Sequence, residues 1–193
     1  MPANISDDLK WQIETIYNQE QKIDRFYMFD QIPPKKLANA KSSYAFAMTP
    51  DETVIFLQDD NFFGGAKDGF VLTTKHLFYK NYANQSEPVW MEVSDIVSVT
   101  YKQAVVNNYI VVFLNDNTLI EILIAFPTDK HQRQACFNVM EKTIQLLKGR
   151  NASKTQAQTP AGQERVVECP GCTAKTVLTT AIGECEWCGS PLQ

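Results

Sequence analysis

Residues 7–21 place apolar side chains at Leu9, Ile13, Ile16 and Tyr17, the spacing of one helical face, with Ser6 positioned to cap the start. A second, short helix is predicted after Pro33-Pro34, where proline suits a first turn, running through Leu37, Ala40 and Tyr44. From Thr53 the period shortens, and strands are predicted at 54–57, 70–72, 77–79, 89–93, 96–101, 109–114 and 119–126. Short turns join most of them: Thr74-Lys75-His76, a two-residue hairpin at Asn107-Asn108, and Asn115-Asp116-Asn117. His76 is read as a turn residue that tolerates positive φ. Short strands at even spacing predict an antiparallel meander folded as a sandwich or partly open barrel. A long helix follows, with Thr128 as its cap and Cys136, Phe137, Met140, Ile144 and Leu147 on one stripe. Gly149 suits its C-terminal end, and Cys136 reads as a small buried hydrophobe rather than a reactive thiol.

After residue 149 the pattern stops. Residues 149–163 hold no large apolar side chain, so the segment reads as a linker. The expected organisation is a helical extension at 1–50, a β domain at 51–149, a linker at 150–164 and a small module at 165–193. Composition is globular: 44% of the 193 residues are apolar and 21% charged. With 18 Lys and Arg against 22 Asp and Glu, the net charge of −4 argues against broad binding of nucleic acid or anionic membrane. No apolar run is long enough to span a bilayer. Asp7, Asp8, Lys10, Glu14, Glu20 and Asp24 interrupt any signal-peptide core, so the expected compartment is the cytoplasm.

The cysteines change the picture of the tail. Four of the five stand in its last 25 residues, as Cys169-Pro170-Gly171-Cys172 and Cys185-Glu186-Trp187-Cys188. Each CxxC turn holds two thiolates together, and two such turns supply the four soft ligands of tetrahedral Zn²⁺. With all four ligands from protein, no position stays open for water or substrate, so the expected metal is one structural zinc. Fewer than 40 residues rarely fold alone, and metal binding would supply most of the stability of this module. The rival reading is a thiol oxidoreductase, but that chemistry calls for a CxxC at a helix start in a βαβ setting.

Two resemblances add to this reading. Asp59-Asp60-Asn61-Phe62-Phe63-Gly64-Gly65-Ala66-Lys67-Asp68-Gly69-Phe70-Val71-Leu72-Thr73, followed by Leu77-Phe78-Tyr79-Lys80, resembles the first strands of bacterial PH-like domains of the GRAM/PH superfamily. Over residues 50–148 the likeness implies a seven-stranded antiparallel barrel or sandwich capped by a C-terminal helix. The tail, Cys-Pro-x-Cys then Cys-x-x-Cys-Gly, is similar to zinc ribbons.

Candidate binding residues are few. In the loop at 59–69, Asp59, Asp60 and Asp68 outnumber Lys67, an acidic balance that repels phosphoinositides. Adjacent strand residues face opposite sides, so Asp59 and Asp60 are not expected to converge on a substrate; capping and solvation are their expected roles. Phe62 and Phe63 either pack over the mouth of the domain or enter a bilayer or a partner's groove. Trp187 covers the zinc knuckle or, alternatively, stacks a base. The glycines permit tight turns and match no nucleotide loop. No nucleophile, base and orienting group recur in a catalytic pattern, so no enzyme is expected. The expected function is a non-catalytic adaptor: the PH-like module binds a protein segment through a sheet edge or the 59–69 loop, with Phe62, Phe63, Lys67 and Trp187 as candidate contacts. The alternatives are peripheral membrane binding and thiol redox chemistry.

Overall fold

The structure, a computed structural model, describes residues 5–81, 83, 85–103, 108–157, 165–168, 172, 175–178, 183–184 and 191–192. Contacts divide the chain into two units, Met1–Gly149 and Arg150–Gln193.

The first unit begins with α1 (Asp7–Asn18), where the Ser6 hydroxyl accepts from the Leu9 N–H at 3.3 Å, the cap anticipated from the sequence. Then come β1 (Phe26–Met28), α2 (Pro34–Ser43), β2 (Val54–Asp59), β3 (Gly69–Thr73), β4 (His76–Asn81) and β5 (Gln85–Glu92). After them run β6 (Ile96–Gln103), β7 (Asn108–Leu114), β8 (Leu119–Leu123) and α3 (Lys130–Ala157). The strands form two antiparallel sheets, β1-β2-β3-β4-β5 and β6-β7-β8. The architecture is therefore mainly β with three helices, but among the described residues the sheets do not close into one barrel.

One core lies between the sheets and under α3. Phe56, Phe70, Leu72, Leu77 and Met91 meet Ile110, Val112, Ile122, Met140 and Ile144 there, with Leu9 and Ile13 of α1. Each fully buried side chain of this kind stabilises by roughly 1.5–3 kcal/mol. A second cluster lies on the other face of the larger sheet, where Ala40, Tyr44 and Ala45 cover Leu57, Val71 and Phe78. A sheet covered on both faces needs apolar residues at successive positions. That explains the unbroken runs Val54-Ile55-Phe56-Leu57 and Phe70-Val71-Leu72.

Several boundaries differ from expectation. The segment at 1–50 is not wholly helical: β1 pairs with β2 through Phe26↔Gln58, Tyr27↔Leu57 and Met28↔Phe56. His76 opens β4 and is not among the positive-φ residues, because the turn needs only Thr74 and Lys75. The ladder closes at Gln103↔Asn108, so Asn108 belongs to β7 and is not a turn residue. Asp129, not Thr128, caps α3: its Oδ1 accepts from the N–H groups of His131 at 2.9 Å and Gln132 at 3.0 Å. Those donors, Gln132 first, hold the Asp129 carboxyl below its ordinary value. Gly149 lies inside α3, which continues to Ala157. The stripe of α3 packs as read: Cys136, Phe137, Met140, Ile144 and Leu147 are buried, and burial pushes the Cys136 thiol far up.

In the second unit β9 (Arg165–Glu168) pairs antiparallel with β10 (Lys175–Leu178), and β11 (Gly183–Glu184) with β12 (Pro191–Leu192). No helix among the described residues is long and apolar enough to cross a membrane.

Candidate functional site

The loop joining β2 to β3 is built from the inside out. Asp59 ends β2 with its side chain fully buried. Its Oδ1 accepts from the N–H groups of Asn61 at 3.1 Å and Ala66 at 3.0 Å. Its Oδ2 pairs with the Lys36 ammonium of α2, which also donates to the Gly64 carbonyl. This grip holds Ala66 at φ 52°, a conformation that costs a non-glycine residue about 1 kcal/mol or more. Further along α2, Asn39 Nδ2 donates to the Gly65 carbonyl at 2.7 Å and Ser43 Oγ to the Lys67 carbonyl at 2.7 Å. Lys36, Asn39 and Ser43 stand at i, i+3 and i+7, one polar face of the helix. The loop ends at Gly69, φ 134°, where a Cβ would lie 2.0 Å from the Gln58 carbonyl oxygen; only glycine fits.

Asp60 faces the other way. Its Oδ1 accepts from the Phe126 N–H at 2.6 Å, and its Oδ2 from the Ala125 N–H at 3.2 Å and from the Asn81 amide. All these donors are neutral. Burial therefore outweighs them and pushes the Asp60 carboxyl up to about 6. Asp68 takes the Asn61 amide at 2.8 Å. The phenol of Tyr44 is fully buried beneath the loop; burial first, then the charges of Asp59, Asp68 and Asp60, push it well above its ordinary value.

The two aspartates thus diverge, as strand alternation requires, but both are buried and neither is a solvated loop charge. Counting acids along the loop overstates the negative charge at its surface. What the loop presents is Phe62, 74% exposed, and Phe63, 91% exposed, with their rings edge to face at 5.3 Å. They do not pack over the domain: Phe62 reaches Phe126 at a ring distance of 6.3 Å, and Phe63 stands in solvent. Arg25 braces this tip, donating to the Asn61 carbonyl at 2.8 Å while its guanidinium lies 4.2 Å from the Phe126 ring centroid. Lys67 is exposed beside the tip, and Lys35 and Lys41 are exposed on α2.

The supporting residues Arg25, Lys36, Asn39 and Ser43 were not singled out from the sequence. The polar face of α2 was the available signal, but nothing in the sequence shows which loop it meets.

A second polar cluster joins the chain before β2 to the turn between β3 and β4. Buried Glu52 accepts from the Thr49 N–H at 2.8 Å and from the Thr73 hydroxyl at 2.5 Å, and its Oε2 lies 3.1 Å from His76 Nδ1. The Thr73 hydroxyl also accepts from the N–H groups of Lys75 and His76. Thr73 is fully buried, so this arrangement ties loops together rather than offering a nucleophile.

Of the tail candidates, Cys172 lies in an exposed turn. Cys169, Cys185, Cys188 and Trp187 lie outside the described residues. Among the described residues no three His, Cys, Asp or Glu side chains gather as a metal site. Comparison of the chain with family models, with curated proteins and with solved structures gives no match.

Proposed function

We propose that this chain is a non-catalytic docking protein whose first unit, a PH-like module, recognises a protein partner through the tip of the β2–β3 loop. The observation that carries the reading is the rigid presentation of Phe62 and Phe63. Two exposed phenylalanines cost solubility unless something covers them. Here Lys36, Asn39, Ser43, Arg25 and Asp59 fix the backbone that displays them, so little ordering cost remains at binding. The PH-like reading is supported by four strands, β2 to β5, in one sheet, three in the next, and α3 after them; β1 is an addition.

The tail is read as a zinc ribbon. Support comes from the pairing of β9 with β10 and β11 with β12: residues 169–174 and 185–190, which join those pairs, each hold one CxxC. Cys169, Cys172, Cys185 and Cys188 would hold the ion. Bound by four thiolates, zinc supplies folding free energy and no open coordination position. Elemental analysis of the full chain tests it: about one zinc per chain is expected, and metal-free, freely oxidisable thiols would move redox chemistry to first place.

A photo-crosslinking side chain at position 63 of the full-length protein tests the docking reading. Discrete protein adducts, lost when the probe is moved to exposed position 119 at the start of β8, are expected. One observation favours a second reading, an anionic membrane surface: Asp59 and Asp60 turn inward while Lys67, in the same loop as the two exposed phenylalanines, stays exposed. Co-sedimentation with phosphatidylserine vesicles at low salt, lost in Phe62→Ser/Phe63→Ser, together with no protein adducts, would replace the protein partner by the membrane.

A further inference from the structure

A second exposed aromatic surface lies at the opposite edge of the larger sheet from β1. The row Tyr27–Leu57–Val71–Phe78, crossing β1 to β4, continues onto Trp90 of β5. Phe78 is buried beneath α2, but Trp90 is 48% exposed. Phe46, just past α2, is also exposed and meets Trp90 edge to face, at 5.8 Å between centroids and 71° between planes. Glu92 lies two residues along β5, hence on the same side as Trp90, and is exposed. Its Oε2 accepts from the Ser94 hydroxyl at 3.0 Å, which orients the carboxylate. Across the ladder Glu92 faces His76, beside buried Glu52.

We propose that Trp90, Phe46 and Glu92 form a shallow site for the ammonium or guanidinium group of a basic partner segment. The π-face of tryptophan attracts a cation, and a second ring set nearly at right angles adds another wall. Glu92 supplies the counter-charge. The neighbouring cation Lys75, which also feels the charge of Glu92, is paired with Asp51, and buried Glu52 lies behind His76, so the balance of charge around Glu92 stays negative. An anionic partner would be repelled. Strand addition is not the mode of recognition, since Pro88 within β5 removes a backbone donor from this edge strand. The cation's side chain, not its backbone, makes the contact. The site stands independently of what the Phe62–Phe63 tip binds.

The chain has three tryptophans, Trp11, Trp90 and Trp187, so three indole N–H signals appear in a ¹⁵N correlation spectrum, and Trp90→Phe assigns one. An acetylated, amidated tetra-arginine peptide is titrated in, with tetra-glutamate as control. The expected result is saturable movement of the Trp90 signal alone, with a Kd on the order of millimolar, abolished by salt. Glu92→Gln, an exposed and fold-neutral change, should weaken binding by about fivefold. The proposal is overturned if tetra-arginine leaves the Trp90 signal in place, or moves it equally in Glu92→Gln. It is also overturned if the signal moves with protein concentration in the absence of peptide, which would give the face to a second copy of the chain.

Discussion

On the α2 side of the β2–β3 loop a buried carboxylate meets a full positive charge. On the other side, toward β4 and the chain after β8, its sequence neighbour meets only neutral donors. Asp59 has the Lys36 ammonium, while Asp60 has two backbone N–H groups and the amide of Asn81. The two residues are chemically identical and both buried, so what sets them apart is what each element brings into reach. One side is an ion pair that must stay whole. The other is a neutral clasp whose acceptor titrates near pH 6.

The largest effect should come from breaking the charged side. Lys36→Met leaves the Asp59 carboxylate buried without its counter-charge, and about 3–5 kcal/mol of unfolding free energy should be lost in urea denaturation. A wild-type midpoint would mean that the pair does not hold the loop.

Next comes the neutral side, where the effect is one of pH. The Asp60 carboxyl is raised from 3.8 to about 6 in the folded chain. The folded state therefore binds this proton more tightly than the unfolded state does. Its contribution favours folding fully below about pH 4 and is lost as pH rises through about 6, by up to about 3 kcal/mol. That runs opposite to carboxylates held low, such as Asp129, which lose stability on acidification. Asp60→Asn should remove this dependence. The stability difference between variant and wild type, followed over that range, should shift in favour of the variant as pH rises. A difference independent of pH would show that Asp60 is ionised without penalty.

The smallest effect is expected at the tip itself. Phe63→Ser should change stability by no more than about 0.5 kcal/mol, since the ring is 91% exposed, while abolishing vesicle co-sedimentation or the adducts formed from a crosslinking side chain at position 62. Loss of stability with Phe63 would instead make the ring a packing element of the loop.

Apolar patterning made much of this molecule legible before its structure. The unbroken runs of β2 and β3, the stripe of α3 and the Ser6 cap each depend on residues close in sequence. What escaped depends on distant partners. Phe26-Tyr27-Met28 is too short to announce a strand, and pairs because Phe56, Leu57 and Gln58 lie alongside it. Asp59 and Asp60 look like solvated loop charges because their donors come from Lys36, Asn81 and Phe126, far along the chain. Phe62 and Phe63 were legible as a pair, whereas their exposure was not, because only the folded loop decides which way its tip faces.

The first fifty residues also set an order in time. The Asp24 N–H donates to Gln132 Oε1 at 2.8 Å, and Asn138 Nδ2 donates to Glu20 at 3.2 Å, across separations of 108 and 118 residues. Within this unit a ribosome delivers α1 and β1 before α3. The segment between α1 and β1 therefore reaches these partners only once α3 has been made. Closing these contacts with α3 is thus a late step in completing the first unit.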